Sequence, residues 1–167
     1  MSLSLLPTFQ IPGVEALSPE MLQKLGVRLL MLDFDNTIVP YTTNTPTPAV
    51  DAWLRAMAAS PISLCIVSNS HSSRVPTFCE RYGIACILHA HKPWQRGIRR
   101  CLSQFGASPS QAALVGDQIF TDTLGGNCAG VRTILVRPIH NHNIWLKLRH
   151  ILELPMIWIS RKRRILL

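Results

Sequence analysis

The chain has 167 residues, 47% of them apolar and 16% charged, enough to bury the core of one domain and to exclude disorder for its bulk. Seventeen Lys and Arg against nine Asp and Glu leave a formal charge of +8, which calls for an anionic partner: nucleic acid, an acidic membrane surface or a phosphorylated substrate. The five cysteines contain no C-x-x-C pair and read as buried thiols of a reducing compartment. No apolar stretch reaches the roughly 18 residues of a spanning helix and no secretory signal opens the chain, so a cytoplasmic protein is expected.

In chain order, Ser18-Pro19-Glu20 opens a helix over 17–25, with Ser18 as N-cap and Pro19 in the first helical position. Arg28 to Leu32 is an unbroken aliphatic run ending at Asp33. It is too short for a helix and lacks the alternation of a half-exposed strand, so it predicts a central strand covered on both faces. Residues 40–48, rich in Thr and Pro, predict a loop, and 48–59 a helix. The pattern then repeats, with strands over 62–67, 84–88, 112–115 and 133–136 and helices over 72–82, 94–105 and 121–129. Gly83, Gly106 and Gly130 stand where left-handed C-caps belong. Such alternation predicts a doubly wound, Rossmann-like parallel α/β sheet, in which ligands sit beyond the carboxyl ends of the strands. Asp33, Ser68 and Asp117 all fall at that position.

Asp occurs five times, and four of the five form two tight pairs, Asp33 with Asp35 and Asp117 with Asp122, each just after an apolar run. In Asp33-Phe34-Asp35-Asn36-Thr37 one carboxylate could attack a substrate while the other protonates a leaving group and later activates water. Crowded carboxylates repel unless a cation lies between them, and an all-oxygen donor set suits Mg²⁺. A phosphate approaching such a cup needs donors and a fixed positive charge. The Ser68 hydroxyl, the backbone N–H groups around Asn69, and Lys92 in His91-Lys92-Pro93 could supply them.

The ordered set D-F-D-N-T, S-N-S, K-P and G-D-Q-x-x-T-D, running from Asp33 to Asp122, resembles the four motifs of the haloacid dehalogenase-like (HAD) phosphatases. The resemblance implies that Asp33 is the nucleophile that becomes an aspartyl phosphate and that Asp35 is the general acid and base. It implies phosphate binding by Ser68, Asn69 and Lys92. Mg²⁺ would be held by Asp33, Asp117, Asp122 and the backbone carbonyl of Asp35. The gaps 38–67 and 69–91 leave room for no more than a minimal cap. Capless members resemble subfamily III, whose open sites act on large substrates or at surfaces. Within it D-F-D-N-T-I-V-P, V-S-N-S and K-P-W look like the YqeG group, related to the phosphatidylglycerophosphate phosphatases of mitochondria and plastids. The expected activity is thus Mg²⁺-dependent hydrolysis of a phosphomonoester, with phosphatidylglycerophosphate as substrate. A phosphoprotein or soluble ester, or an RNA- or ribosome-associated role for the same fold, are the alternatives.

Two further features invite function. The pairs His89/His91 and His140/His142 have i, i+2 spacing but no Cys or carboxylate at ligand spacing beside them, so solvated or substrate-facing rings are expected rather than zinc ligands. Six of the seventeen bases follow residue 143, against the single acid Glu153. The expected organisation is therefore a HAD-like domain over 1–143 and a basic, Trp- and Ile-rich tail over 144–167. That tail either packs on the domain or holds the protein peripherally at the inner face of a membrane. Nucleic acid is not expected as a partner, since no motif accompanies the Arg161 to Arg164 run.

Overall fold

The computed structural model describes residues 4–139 and Pro155; the expectations for His140/His142 and for the 144–167 tail lie outside them. The described chain forms β1 (Phe9–Gln10), α1 (Pro19–Lys24), β2 (Leu29–Leu32), α2 (Pro48–Ala58), β3 (Ser63–Val67), α3 (Arg74–Tyr82), β4 (Ala85–Ile87), α4 (Arg96–Gln104), β5 (Ala112–Gly116), α5 (Leu124–Ala129) and β6 (Arg132–Leu135). The six strands make one parallel sheet in the order β1-β6-β5-β2-β3-β4. The chain builds outward from β2 in one direction, then crosses back to place β5 against its other edge. This reversal puts the switch point between β2 and β5.

Period-two alternation along the buried strands divides the core into two layers. Leu30, Leu32, Leu64, Ile66, Ala113 and Val115 face the side covered by α1, α2 and α3, where Leu22, Trp53, Met57 and Phe78 pack. Leu29, Met31, Cys65, Val67, Ala112 and Leu114 face the side of α4 and α5, against Ile98, Cys101 and Ala129. With Leu30 and Leu32 fully buried, truncating either to Ala costs about 2–5 kcal/mol. The five described cysteines are free thiols.

Local signals close the elements as their chemistry requires. The Ser18 hydroxyl accepts from Met21 N at 3.2 Å and the Thr47 hydroxyl from Val50 N at 3.3 Å, each with a proline just inside the helix. Gly83 and Gly130 end α3 and α5 in the left-handed region. Two departures from the expected elements matter. A two-residue edge strand, β1, pairs with β6. The segment expected as the start of a helix at 121 is instead a π-helical turn, Ile119–Thr123, leading into α5. The 38–67 stretch goes to a turn, the loop, α2 and β3, and the 69–91 stretch to α3 and β4. No cap domain stands over the sheet among the described residues.

Candidate active site

The carboxyl ends of β5, β2, β3 and β4 lie side by side, and each delivers one of the expected groups. Asp33 follows β2 directly, its N–H donating to Val115 O at 2.8 Å, so the sheet ladder itself fixes the residue. Ser68 is held likewise beyond β3 by Ile87 O at 3.0 Å. After β5, Asp117 enters the cup, and the π turn brings Asp122 back over the strand end. Gly116 makes that return possible, because a Cβ there would collide with the Asp122 carboxylate. Asp122 Oδ2 accepts from Gln118 N at 3.1 Å, which locks the turn.

Lys92 is the centre of the cluster. Its Nζ donates to Asp33 Oδ1 and to Asp122 Oδ1, both at 2.6 Å, and the side chain is buried. Burial alone would lower its pKa, but the facing carboxylates of Asp122 and Asp33 outweigh that and raise it, so the cation is permanent. Asp122 is pushed up to about 6 by burial, with Asp33 adding to the rise and Lys92 opposing it. One ammonium does not balance three carboxylates. Asp33, Asp117 and Asp122 each offer an oxygen, and these lie within 4.8 Å of one another. Hard oxygen donors with excess negative charge fit a small divalent cation such as Mg²⁺.

Asp35 stands apart from this cluster, on the tight turn that the left-handed Asn36 allows. Burial raises its pKa, and the guanidinium of Arg74, with Nη1 3.4 Å from Oδ1, opposes the rise. A carboxyl biased toward its protonated form beside a carboxylate cluster is the arrangement a general acid needs. Asn69 has a structural task that its spacing does not reveal: its side-chain amide donates to Lys92 O at 2.9 Å and accepts from Lys92 N at 2.7 Å. It ties the Lys92 segment to the β3 loop, where the Ser68 hydroxyl accepts from Ser70 N at 3.0 Å. His89 lies against His71, ring centroids 4.2 Å apart. Among the described residues, the side-chain cluster that could hold a metal ion consists of the three aspartates.

Arg74 is the participant that sequence reasoning missed. From the start of α3 it donates to Asn44 Oδ1 at 2.5 Å, Tyr41 O at 2.8 Å and Thr43 O at 2.7 Å, and it stacks 5.6 Å over the Phe34 ring. It thereby pins the loop after Pro40 beside Asp35. Nothing at short range in the sequence marks it, because its partners lie about thirty residues away.

Comparison with known proteins bears on the family and the fold. A family model described as HAD-hydrolase-like matches residues 89–138. The chain is 34% identical over 134 residues to the probable phosphatase YqeG of Bacillus subtilis, covering 80% of this chain and 78% of that one. It is 24% identical to the chloroplastic/mitochondrial phosphatidylglycerophosphate phosphatase 1 of Arabidopsis thaliana, covering 93% of this chain but only 47%, about half, of that protein. Among solved structures, the cobalt-bound deoxy-D-mannose-octulosonate 8-phosphate phosphatase of Haemophilus influenzae superposes with a TM-score of 0.54 at 15% identity, over 76% of this chain and 77% of that one. The 3-deoxy-D-manno-octulosonate 8-phosphate phosphatase of Yersinia pestis gives 0.54 at 18% identity, over 77% and 73%. These two likenesses speak to the fold alone. With the four strand-end motifs gathered in one acidic cup and a curated relative matched over most of its length, the chain belongs to the HAD-like phosphatases, a family of phosphoric monoester hydrolases, and within them to the YqeG group.

Proposed function

We propose that this phosphatase works through a phosphorylated Asp33, with Mg²⁺ as cofactor, on an anionic lipid phosphate of the phosphatidylglycerophosphate kind. The observation that carries the chemistry is the buried Asp33–Lys92–Asp122 cluster, with both contacts at 2.6 Å. In the first half-reaction an Asp33 carboxylate oxygen attacks phosphorus, the ester P–O bond breaks, and Asp35 gives its proton to the departing alkoxide. In the second, Asp35 takes a proton from water as its oxygen attacks the same phosphorus, and inorganic phosphate leaves with the Asp33 carboxylate restored. Lys92 and the Ser68 loop hold the phosphoryl oxygens, and Lys92 keeps the cup from repelling them. Mg²⁺ held by Asp33, Asp117, Asp122 and the Asp35 carbonyl would neutralise charge that one lysine cannot.

Two features support the lipid reading: the open strand ends, which suit a substrate too large to be enclosed, and the similarity to the Arabidopsis phosphatidylglycerophosphate phosphatase. The test is phosphate release from phosphatidylglycerophosphate in mixed micelles against a short-chain soluble ester, compared as kcat/KM. The lipid should be preferred by tenfold or more, since nothing among the described residues closes on a small ester to exclude water and position it. Equal or better turnover of the soluble ester overturns the lipid assignment while leaving the chemistry intact.

A further inference from the structure

The two exposed large apolar side chains among the described residues are Trp94, 74% exposed, and Tyr41, 42% exposed, and both belong to the rim of the cup. Trp94 lies two residues beyond Lys92 on the connection into α4. Tyr41 follows the Asp35 turn, and its hydroxyl meets Gln118 Nε2 at 3.4 Å. A solvated indole is costly to leave bare, and its amphipathic ring suits the boundary between headgroups and acyl chains.

Charge points the same way. Between Glu80 and Asp117 the chain carries no acid, while Arg81, Arg96, Arg99 and Arg100 supply four bases besides the buried Lys92, which is paired within the cup. Three of these lie exposed on α4, which begins at the cup and runs away from it, so side chains tilted toward the helix start lean toward the cup. Two do so through visible bonds. Arg99 reaches back one turn to Gln95 Oε1 at 2.9 Å and 2.6 Å, and Arg100 reaches Leu88 O, just past the carboxyl end of β4, at 2.8 Å.

We infer that the face carrying the cup is a docking surface for an anionic lipid bilayer, with Trp94 as its inserted anchor and Arg96, Arg99 and Arg100 against the headgroups. This rests on the lipid-phosphate reading and adds how the open site meets its substrate: the strand ends face the membrane, so a headgroup phosphate enters without leaving the lipid plane. The folded domain, rather than the tail alone, is the membrane-binding element.

Vesicle binding without turnover tests it. In the full chain with Trp145→Phe and Trp158→Phe, the remaining indoles are Trp53, buried and bonded to Leu17 O, and Trp94. Vesicles of phosphatidylglycerol and phosphatidylcholine with brominated acyl chains should quench a large part of the emission, less as salt rises. Pure phosphatidylcholine should quench little. Adding Trp94→Phe should remove the quenching, and Arg96→Gln with Arg99→Gln should weaken partitioning on the order of tenfold, with melting temperatures confirming the fold. Co-sedimentation without Trp94-dependent quenching would assign binding to the tail and overturn the inference. So would capture of an RNA oligonucleotide that the arginine pair governs, in the absence of quenching. Quenching with no hydrolysis of the lipid phosphate refutes the substrate and leaves the docking surface standing.

Discussion

The two edges of the same sheet make opposite use of similar backbone. At the amino-terminal edge a groove of about 710 Å³ is lined by Gln23, Val27, Arg28, Ile62, Phe105 and Gln111 among others, with no carboxylate in its walls. At the carboxyl-terminal edge three aspartates offer oxygens within 4.8 Å of one another, and Lys92 is bonded to two of them. The backbone draws the same line. The left-handed glycines 26, 83, 106 and 130 all lie where a helix turns into a strand, ending helices cheaply. The left-handed residues with side chains, Asn36, His89 and His91, all lie beyond strand ends beside the cup, where strain is tolerated to place a functional group. Charge and backbone conformation set the carboxyl-terminal edge apart from the amino-terminal one.

The contrast breaks most sharply at Asp33. On the proposed mechanism Asp33→Asn removes the attacking oxygen and a metal donor, and steady-state phosphate release should fall on the order of a thousandfold or more. Retention of more than a few per cent of the wild-type rate would rule out the covalent route. Chelation by EDTA should stop turnover almost as completely and added Mg²⁺ restore it. A much better recovery with Zn²⁺ would reopen the role of the histidines.

Gly116→Ala is the next step down, since the new methyl group must displace the Asp122 carboxylate. Activity should fall by on the order of a hundredfold, while circular dichroism stays that of the folded chain.

A smaller effect is expected from pH on the metal-free protein. The folded-state pKa of Asp122, about 6, lies above its ordinary 3.8, so the folded state binds more protons between those values. That contribution to stability is complete below the ordinary value and is lost as pH rises through about 6. The melting temperature in EDTA should therefore rise as pH falls from about 7 to about 5, and Asp122→Asn should flatten the trend. A trend of the opposite sign in the wild-type protein would contradict the burial that raises Asp122. At the other edge, Gln23→Ala should change kcat/KM by less than about twofold; a larger loss would give the groove a part in catalysis.

Much of this was legible in the residues themselves. Unbroken runs such as Leu29 to Leu32 read as strands because only a sheet covered on both faces buries every member of so short a segment. Ser18 marked a helix start because its hydroxyl satisfies an amide that no helix can satisfy internally. The acids were conspicuous through their rarity and their place after those runs. What the sequence by itself determined was therefore local: which segments are strands and helices, and which residues stand at their ends. Other features were decided only by tertiary structure. Phe9–Gln10 is too short to signal a strand and exists as one because β6 offers it an edge. The π turn at Ile119–Thr123 replaces a regular helical start, bringing Asp122 over Gly116. Asn69 finds the Lys92 backbone and Arg74 finds Asp35 and the Pro40 loop across stretches of chain that carry no shared period. Propensity, capping and burial act over a few residues, whereas these contacts depend on which strands lie side by side. That order is set by the packing of the whole sheet.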